Sequence, residues 1–404
     1  MRVLVLNQHY WPEIAATAQL LHDLCVDLGA AGHEVKVVCG QPSYRLLEGQ
    51  EADLPRREVE RDVRIVRVPS YRPARRTIPR RVAHYASYFA SSFAESLREP
   101  VDVALVQSTP PLLLGASGTL LRALRRTPFV YVVQDLYPDV ALHLGVLRPG
   151  PLARAVELAA NTLYRRAAHV IAISDGMADR LVARGVPRGR ITVIHNWADT
   201  SAIEEAPRDN EFARAHDLVE PLVVQYSGNV GLSQGLEQLP RAAELLRDLP
   251  VRFVVVGDGN AREPLEHEVR VRGLRHVRFL PPQPRERLGE LLASADVGLV
   301  TMRRGIGGDL VPSKLYGIMA AARPVLAAVE GSSEVARVIG AHGCGVCVAP
   351  ESPEALAEGV RAMLAMSPAE RGAMGRAGRI ACESVFSRRA ATAAYDRVLR
   401  SVAR

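Results

Sequence analysis

Phe129 to Asp139 reads F-V-Y-V-V-Q-D-L-Y-P-D. Five apolar residues, all β-branched or aromatic, run into a polar turn at Gln134. A run with no polar face suits a strand covered by helices on both sides, which is the environment of a parallel sheet. The neighbouring segments repeat the pattern. V-D-V-A-L-V-Q from Val101 and V-I-A-I-S from Val170 are apolar strands, each followed by a helical stretch. Toward the N-terminus, V-L-V-L-N from Val3 and E-V-K-V-V-C from Glu34 bracket Leu20, Leu21, Leu24, Cys25 and Leu28 at helical spacing. Thr17 is placed to cap that helix and Gly32 to end it.

From Asn196 to Glu220 the chain is polar, carries Pro207, Asp209 and Asn210, and loses its period. It reads as a linker. Alternation resumes with P-L-V-V-Q-Y-S from Pro221, V-R-F-V-V-V-G from Val251, V-R-F-L from Val277, V-G-L-V-T from Val297, P-V-L-A-A from Pro324 and G-V-C-V from Gly345. The expected fold is α/β, with two doubly wound parallel-sheet, Rossmann-like domains facing across a cleft. Residues 1–200 form the first, 201–386 the second, and 387–404 a helix returning to the first.

At 404 residues the chain exceeds one ordinary core. Its 48% hydrophobic and 24% charged residues describe a globular protein. No uncharged apolar run reaches membrane-spanning length. The N-terminus M-R-V-L-V-L-N-Q enters a strand at once and does not read as a signal peptide. Five Cys give no disulfide framework, as expected in a reducing cytoplasm. Cys344 and Cys347 make an isolated C-x-x-C inside what reads as a buried strand. The net charge of +7 fits an anionic membrane, a phosphorylated substrate or nucleic acid. Part of it is local, since eleven Arg face six acids between Ser43 and Arg81.

Ligands of doubly wound sheets bind beyond the carboxyl ends of strands, so loops directly after strands are the ones to search. Asp309 to Pro324, D-L-V-P-S-K-L-Y-G-I-M-A-A-A-R-P, reads as a loop, a short helix opened by Pro312 or Ser313, and a stop at Pro324. Its first turn offers backbone N–H groups to an anion. Lys314 stands there. Of 51 basic residues only Lys36 and Lys314 are lysine, which marks Lys314 as a point charge suited to phosphate, whereas Lys36 reads as a drifted surface residue. Gly317 interrupts the helix, for close approach of a ligand or for packing.

After P-L-V-V-Q-Y-S comes Gly228 to Gly235, G-N-V-G-L-S-Q-G, a Gly-rich turn suited to phosphate but lacking the G-K-[ST] of a Walker loop. Gly257-Asp258-Gly259 is a candidate wall for a nucleotide base, or a plain turn. Asp135, Tyr137 and Asp139 follow Phe129–Gln134 and could hold substrate hydroxyls, or simply cap a turn. Asn7, His9, Tyr10 and Glu13 form a similar loop after the first strand. From Arg72 to Glu99 a basic loop leads into a helix with Tyr85, Tyr88, Phe89 and Phe93 on one face, either core or a membrane-surface element.

With these residues placed, the chain resembles the retaining glycosyltransferases of family 4, with the two-Rossmann-domain GT-B architecture. It is most similar to the bacterial surface-polysaccharide branch, which includes colanic acid and O-antigen fucosamine transferases. N-Q-H-Y-W-P-E, V-V-Q-D-L-Y-P-D, I-A-I-S-D-G-M, V-I-H-N-W-A-D, S-G-N-V-G-L-S-Q-G and V-P-S-K-L-Y carry the resemblance. It implies a nucleotide-diphosphate sugar on the second domain and a glycan or polyprenyl-diphosphate-linked acceptor on the first. It also implies transfer with retention, no metal or other cofactor, and the leaving phosphate as acceptor of the nucleophile's proton. On this basis Asp135, Asp309 and His9 are the catalytic candidates. Gly228, Asn229, Gly231, Gln234, Gly257, Asp258, Ser313, Lys314, Leu315 and Gly317 are the donor-binding ones. Tyr10, Glu13, Tyr137 and Asp139 stand on the acceptor side.

The chain departs from the family pattern in three places. The usual E-x7-E pair is Asp309 and Gly317, the usual basic pair of the Gly-rich turn is Asn229 and Gln234, and the usual Gly-Gly before the first helix is Ala15-Ala16. The expected location is cytoplasmic, peripheral on the inner membrane face. The alternatives are a nucleotide-sugar 2-epimerase of the same fold and a basic nucleic-acid-binding protein. The second lacks any recognised nucleic-acid motif.

Overall fold

The computed structural model describes residues 1–13, 15–42, 53–72, 78–108, 110 and 112–403. They divide into two compact units. One comprises Met1–His195 with Arg389–Arg404, the other Asn196–Arg388.

The first unit holds eight strands: β1 (Arg2–Leu6), β2 (Glu34–Gly40), β3 (Arg57–Glu60), β4 (Val63–Val68), β5 (Val103–Gln107), β6 (Phe129–Val133), β7 (His169–Ala172) and β8 (Ile191–Val193). Their order is β3-β4-β2-β1-β5-β6-β7-β8. All pair in parallel except β3 with β4. The central strands are buried along their whole length, which is why they carry no polar face. The sheet winds one way from β1 to β2 and the other way from β5 to β6, so β1 and β5 flank its switch point.

The second unit holds β9 (Leu222–Ser227), β10 (Val251–Val256), β11 (Val277–Leu280), β12 (Val297–Thr301), β13 (Val325–Ala328) and β14 (Gly345–Val348). The order is β11-β10-β9-β12-β13-β14, entirely parallel, with the switch point between β9 and β12. The Gly-rich turn follows β9, and the loop to Lys314 follows β12. Two loops singled out separately in the sequence thus leave neighbouring strands at one switch point.

Several expectations need correction. β3 and β4 lie inside the Arg-rich stretch between Ser43 and Arg81, where the sequence reading places no strand. Val63, Ile65 and Arg67 are buried while Arg64 is exposed, a period of two hidden under the charge. Arg61 and Asp62, both at positive φ (46° and 66°), turn the hairpin. Lys36 is not a surface residue. It is 3% exposed and ion-paired to Glu95 at 2.9 Å and Glu99 at 3.2 Å. The polar segment after Asn196 is no bare linker, since Phe212, Ala213 and Leu218 are buried against Val223, Val254 and Leu291. The first helix, Ala16–Ala30, starts without side-chain capping from Thr17. β14 is an edge strand, with Cys344 buried and Cys347 exposed.

The helix Ile78–Ser96 carries the predicted aromatic face. Tyr88 is fully buried and donates to the Val38 carbonyl, which is the core outcome. Phe89 and Phe93 are half-buried and stacked, with centroids 6.1 Å apart. Arg75 and Arg76 lie outside the described residues, and Arg80 is exposed. Among the described residues no helix is long and apolar enough to cross a membrane.

The last helix, Arg388–Val402, lies almost wholly in the first unit. Its Asp396 accepts from buried His33 at 2.7 Å. The chain leaves the first unit at His195 and returns at Arg389. Next to those crossings, inside the second unit, Ala198 N–H donates to the Phe386 carbonyl and Arg388 N–H donates to the Ala198 carbonyl.

Candidate functional site

At the switch point of the second unit, Lys314 is the focus. Its ammonium donates to Tyr226 Oη at 2.6 Å and to Gln234 Oε1, and lies 3.9 Å from the centre of the Tyr226 ring. Its stem runs along Gly228, where a Cβ would come within 3.2 Å of Lys314 Cε. Among the described residues no carboxylate is ion-paired to it. Desolvation lowers its pKa from the usual lysine range to about 7. The residue still has some accessible surface. A half-buried ammonium held only by neutral groups lacks its countercharge.

The supporting turns explain the glycines. Gly228 N–H donates to the Val256 carbonyl, Val230 N–H to Asp258 and Ala261 N–H to Val230, so the turns after β9 and β10 are laced backbone to backbone. A Cβ on Gly257 would lie 1.9 Å from the Gly228 carbonyl oxygen, and one on Gly259 equally close to that of Val230. Contact with the other turn therefore accounts for both glycines of Gly257-Asp258-Gly259. Asp258 Oδ1 accepts from Gly259 N–H at 2.8 Å. Asn229 is exposed, and its carbonyl accepts from Tyr226 Oη at 2.6 Å. Gly231 is half-buried, packed against the Asn229 side chain.

The helix Lys314–Ala320 alters the expected anion site. Ser313 already has helical dihedrals and makes no side-chain cap. The N–H groups of Leu315 and Tyr316 donate to the carbonyls of Pro312 and Ser313, a tight first turn that uses donors expected to be open. The Leu315 side chain is core. Positive charge here comes from Lys314 rather than from the helix end. Gly317 is half-buried, and a Cβ there would meet only Leu292 Cδ1, at an ordinary 3.5 Å. Packing does not demand a glycine at that position. Asp309 has no accessible surface, so its carboxylate is closed to an incoming sugar in this conformation.

In the first unit, the loop after β1 brings His9 and Glu13 together, Nδ1 to Oε2 at 2.6 Å. Glu13 is 2% exposed and fixes the ring from behind, while the His9 side chain keeps 16% of its surface. Asn7 Nδ2 donates to the His9 carbonyl. Tyr10 is buried rather than open to the surface. It is 3% exposed, packs edge-on against His22, and burial raises its pKa well above the phenol range. After β6, Asp135 and Tyr137 are half-buried. Asp139 is spoken for: it pairs with Arg180 at 2.6 Å and with Arg184, tying this loop to the helix Asp175–Ala183. The Tyr137 carbonyl accepts from the same Arg184.

Sequence reasoning missed Tyr226. A bulky polar aromatic one residue before the end of an apolar strand, immediately ahead of a Gly-rich turn, was the available signal.

The description "Glycosyl transferase 4-like domain" matches residues 16–197, and "Glycosyl transferases group 1" matches residues 208–380. The putative colanic acid biosynthesis glycosyl transferase WcaI of Escherichia coli (strain K12) is 30% identical over 378 residues, 90% of this chain and 92% of WcaI. Among solved structures, sucrose-phosphate synthase from Thermosynechococcus elongatus superposes with a TM-score of 0.79 at 19% identity, covering 99% of this chain and 98% of that one. Anabaena HepE in complex with UDP-glucose gives 0.76 at 17% identity, covering 99% and 100%. Likeness at these identities shows the shared fold alone.

Proposed function

The chain belongs to the group 1 glycosyltransferases of family 4, enzymes that use nucleotide sugars, and from that premise we propose that it transfers a sugar, with retention, to a lipid-linked glycan of a surface polysaccharide. The observation that carries the donor half is the ammonium of Lys314, held at the β9/β12 switch point by neutral groups. A diphosphate oxygen supplies the missing countercharge, and a charge-assisted hydrogen bond of this kind is short and strong. As the bond from the anomeric carbon to the diphosphate breaks, charge grows on the leaving oxygen, and a fixed cation there stabilises the transition state more than the ground state. The acceptor oxygen bonds to that carbon from the same face, and its proton passes to the leaving phosphate.

Metal independence is part of the proposal, with Lys314 offsetting diphosphate charge that a metal would otherwise neutralise. Gly228, Asn229 and Gly231 line the diphosphate side. Gly317 leaves room beside the helix for the rest of the nucleotide. Asp309, being enclosed, acts by holding the loop that delivers Lys314 unless that loop opens. On the acceptor side, His9 braced by Glu13, together with Asp135 and Tyr137, is proposed to orient the incoming hydroxyl. Support for a polysaccharide acceptor comes from the named role of WcaI, and support for a nucleotide sugar from the UDP-glucose complex of HepE. The exposed Arg80 and Val82 at the start of helix Ile78–Ser96 favour a peripheral position on an anionic membrane.

The test is a transfer assay with UDP-glucose and GDP-mannose against polyprenyl-diphosphate-linked acceptors, with and without EDTA. The anomeric configuration of the product is read by NMR. A product of retained configuration, formed equally in EDTA, is expected. Inversion, or nucleotide release with epimerised free sugar and no acceptor product, contradicts the proposal.

A further inference from the structure

We infer that Tyr226 and Gln234 are positioning residues for the donor reaction, holding the Lys314 ammonium in place through groups that carry no charge of their own. The inference rests on the donor reading above.

The geometry is closed on three sides. The Tyr226 ring lies under the ammonium at 3.9 Å, Tyr226 Oη accepts from it at 2.6 Å, and Gln234 Oε1 accepts beside that. Tyr226 can accept because its own proton is directed at the Asn229 carbonyl, 2.6 Å away. Gln234 is 8% exposed and is itself held, its amide donating to Ser233 Oγ at 3.1 Å. One chain of hydrogen bonds therefore runs from Lys314, after β12, to the backbone of the Gly-rich turn after β9. Gly228 leaves the slot for the lysine stem.

The neutrality of these partners is the informative feature. Lys36 shows how this fold treats a lysine that serves structure: it is buried between Glu95 and Glu99. Lys314 sits among amide and phenol oxygens instead. Neutral partners fix the position of a cation without cancelling its charge, so an incoming anion meets the whole of it. The pKa near 7 agrees with this arrangement, because a cation that lacks an anion is the form that burial disfavours.

The variant that separates positioning from packing is Gln234→Glu, which keeps the shape and adds an internal anion. Calorimetric titration with UDP-glucose and GDP-mannose, using whichever the parent binds, is run beside a thermal melt of each protein. Gln234→Glu is expected to weaken binding by about tenfold or more while its Tm holds or rises, because a new ion pair forms where the phosphate belongs. Tyr226→Phe keeps the ring and loses the acceptor, and it should weaken binding by a similar factor. In Gln234→Glu the affinity should also lose its dependence on pH between about 7 and 9, since the carboxylate keeps Lys314 protonated. Parent-like affinity in both variants, with Lys314→Ala impaired, overturns the inference and leaves the donor reading standing. Binding lost together with Tm in Gln234→Glu makes Gln234 a structural residue and also overturns it. Parent-like affinity in Lys314→Ala overturns the donor reading itself.

Discussion

Lys314 and Lys36 are the same side chain in opposite circumstances, and the difference sets what each substitution does. Lys36→Met removes the buried cation beside Glu95 and Glu99, leaving them, among the described residues, only the exposed Arg57, Arg98 and Arg64, and should cost up to about 3–5 kcal/mol of stability, measured by chemical denaturation. Lys314→Ala removes a cation with no internal anion, so Tm should not fall. The lowered pKa gives two trends of opposite sign. The unfolded chain binds the proton more tightly than the folded one between about 7 and the ordinary lysine value of 10.5, so the free protein gains stability from Lys314 as pH rises through that window. Nucleotide-sugar affinity runs the other way. The ammonium is half charged near pH 7 and increasingly charged below it, and affinity should fall by up to about tenfold per pH unit above it, as binding becomes coupled to proton uptake. Titrations at pH 6.5 and 8.5 read this directly, because the diphosphate of a nucleotide sugar does not itself titrate there. A flat profile would place another cation at the diphosphate. On the acceptor side, Asp135→Asn should lower kcat with little change in Tm, whereas Asp309→Asn, in a fully buried position, should lower Tm as well. Parallel kinetics and melts of the two variants check the distinction.

At the scale of elements, glycine has different jobs at positions that look alike in the sequence. Gly257 has φ of 136°, and a Cβ there would strike a backbone oxygen, so Gly257→Ala should cost about 3 kcal/mol or more by strain and overlap together. Gly317 lies in a helix with room for a methyl group, so Gly317→Ala should gain up to about 1 kcal/mol from helix propensity. If Gly317→Ala gains stability and weakens nucleotide-sugar binding, a ligand accounts for the glycine. If it gains stability with no change in binding, no functional demand holds it there. This contrast marks what was legible in the sequence. Buried parallel strands such as Phe129–Val133 announce themselves, because a strand covered on both faces has no polar residues to obscure it. The hairpin β3–β4 does not, since its buried Arg67 reads as charge until Glu58 is seen 2.6 Å away. The loops at the strand ends were legible as places where chemistry collects. Their internal allocation was not: Asp139 taken by two arginines and Tyr10 and Leu315 by the core are outcomes set by residues distant in sequence or by depth of burial.

For the whole molecule, the two units carry separable predictions. In the first, Arg80, Val82 and Tyr71 are exposed near the start of the aromatic helix. Co-sedimentation with anionic vesicles should be seen at low salt, each arginine near the surface contributing about 1 kcal/mol and salt screening it within roughly 8–10 Å. Replacing Arg75, Arg76, Arg80 and Arg81 by Gln should abolish it without changing donor affinity. Failure of the parent to sediment would make a soluble acceptor the better assignment. Tyr88→Ala, by contrast, should cost about 3–5 kcal/mol of stability, because that ring is core. In the second unit the central claim is that Lys314 is the cation that receives the donor diphosphate. Calorimetric titration of the parent and Lys314→Ala with UDP-glucose and GDP-mannose at pH 6.5 tests it most directly. The parent should bind at least one donor saturably, and the mutant should bind it more weakly by about 1.5–3 kcal/mol with Tm undiminished. Equal affinity in the two proteins would contradict it.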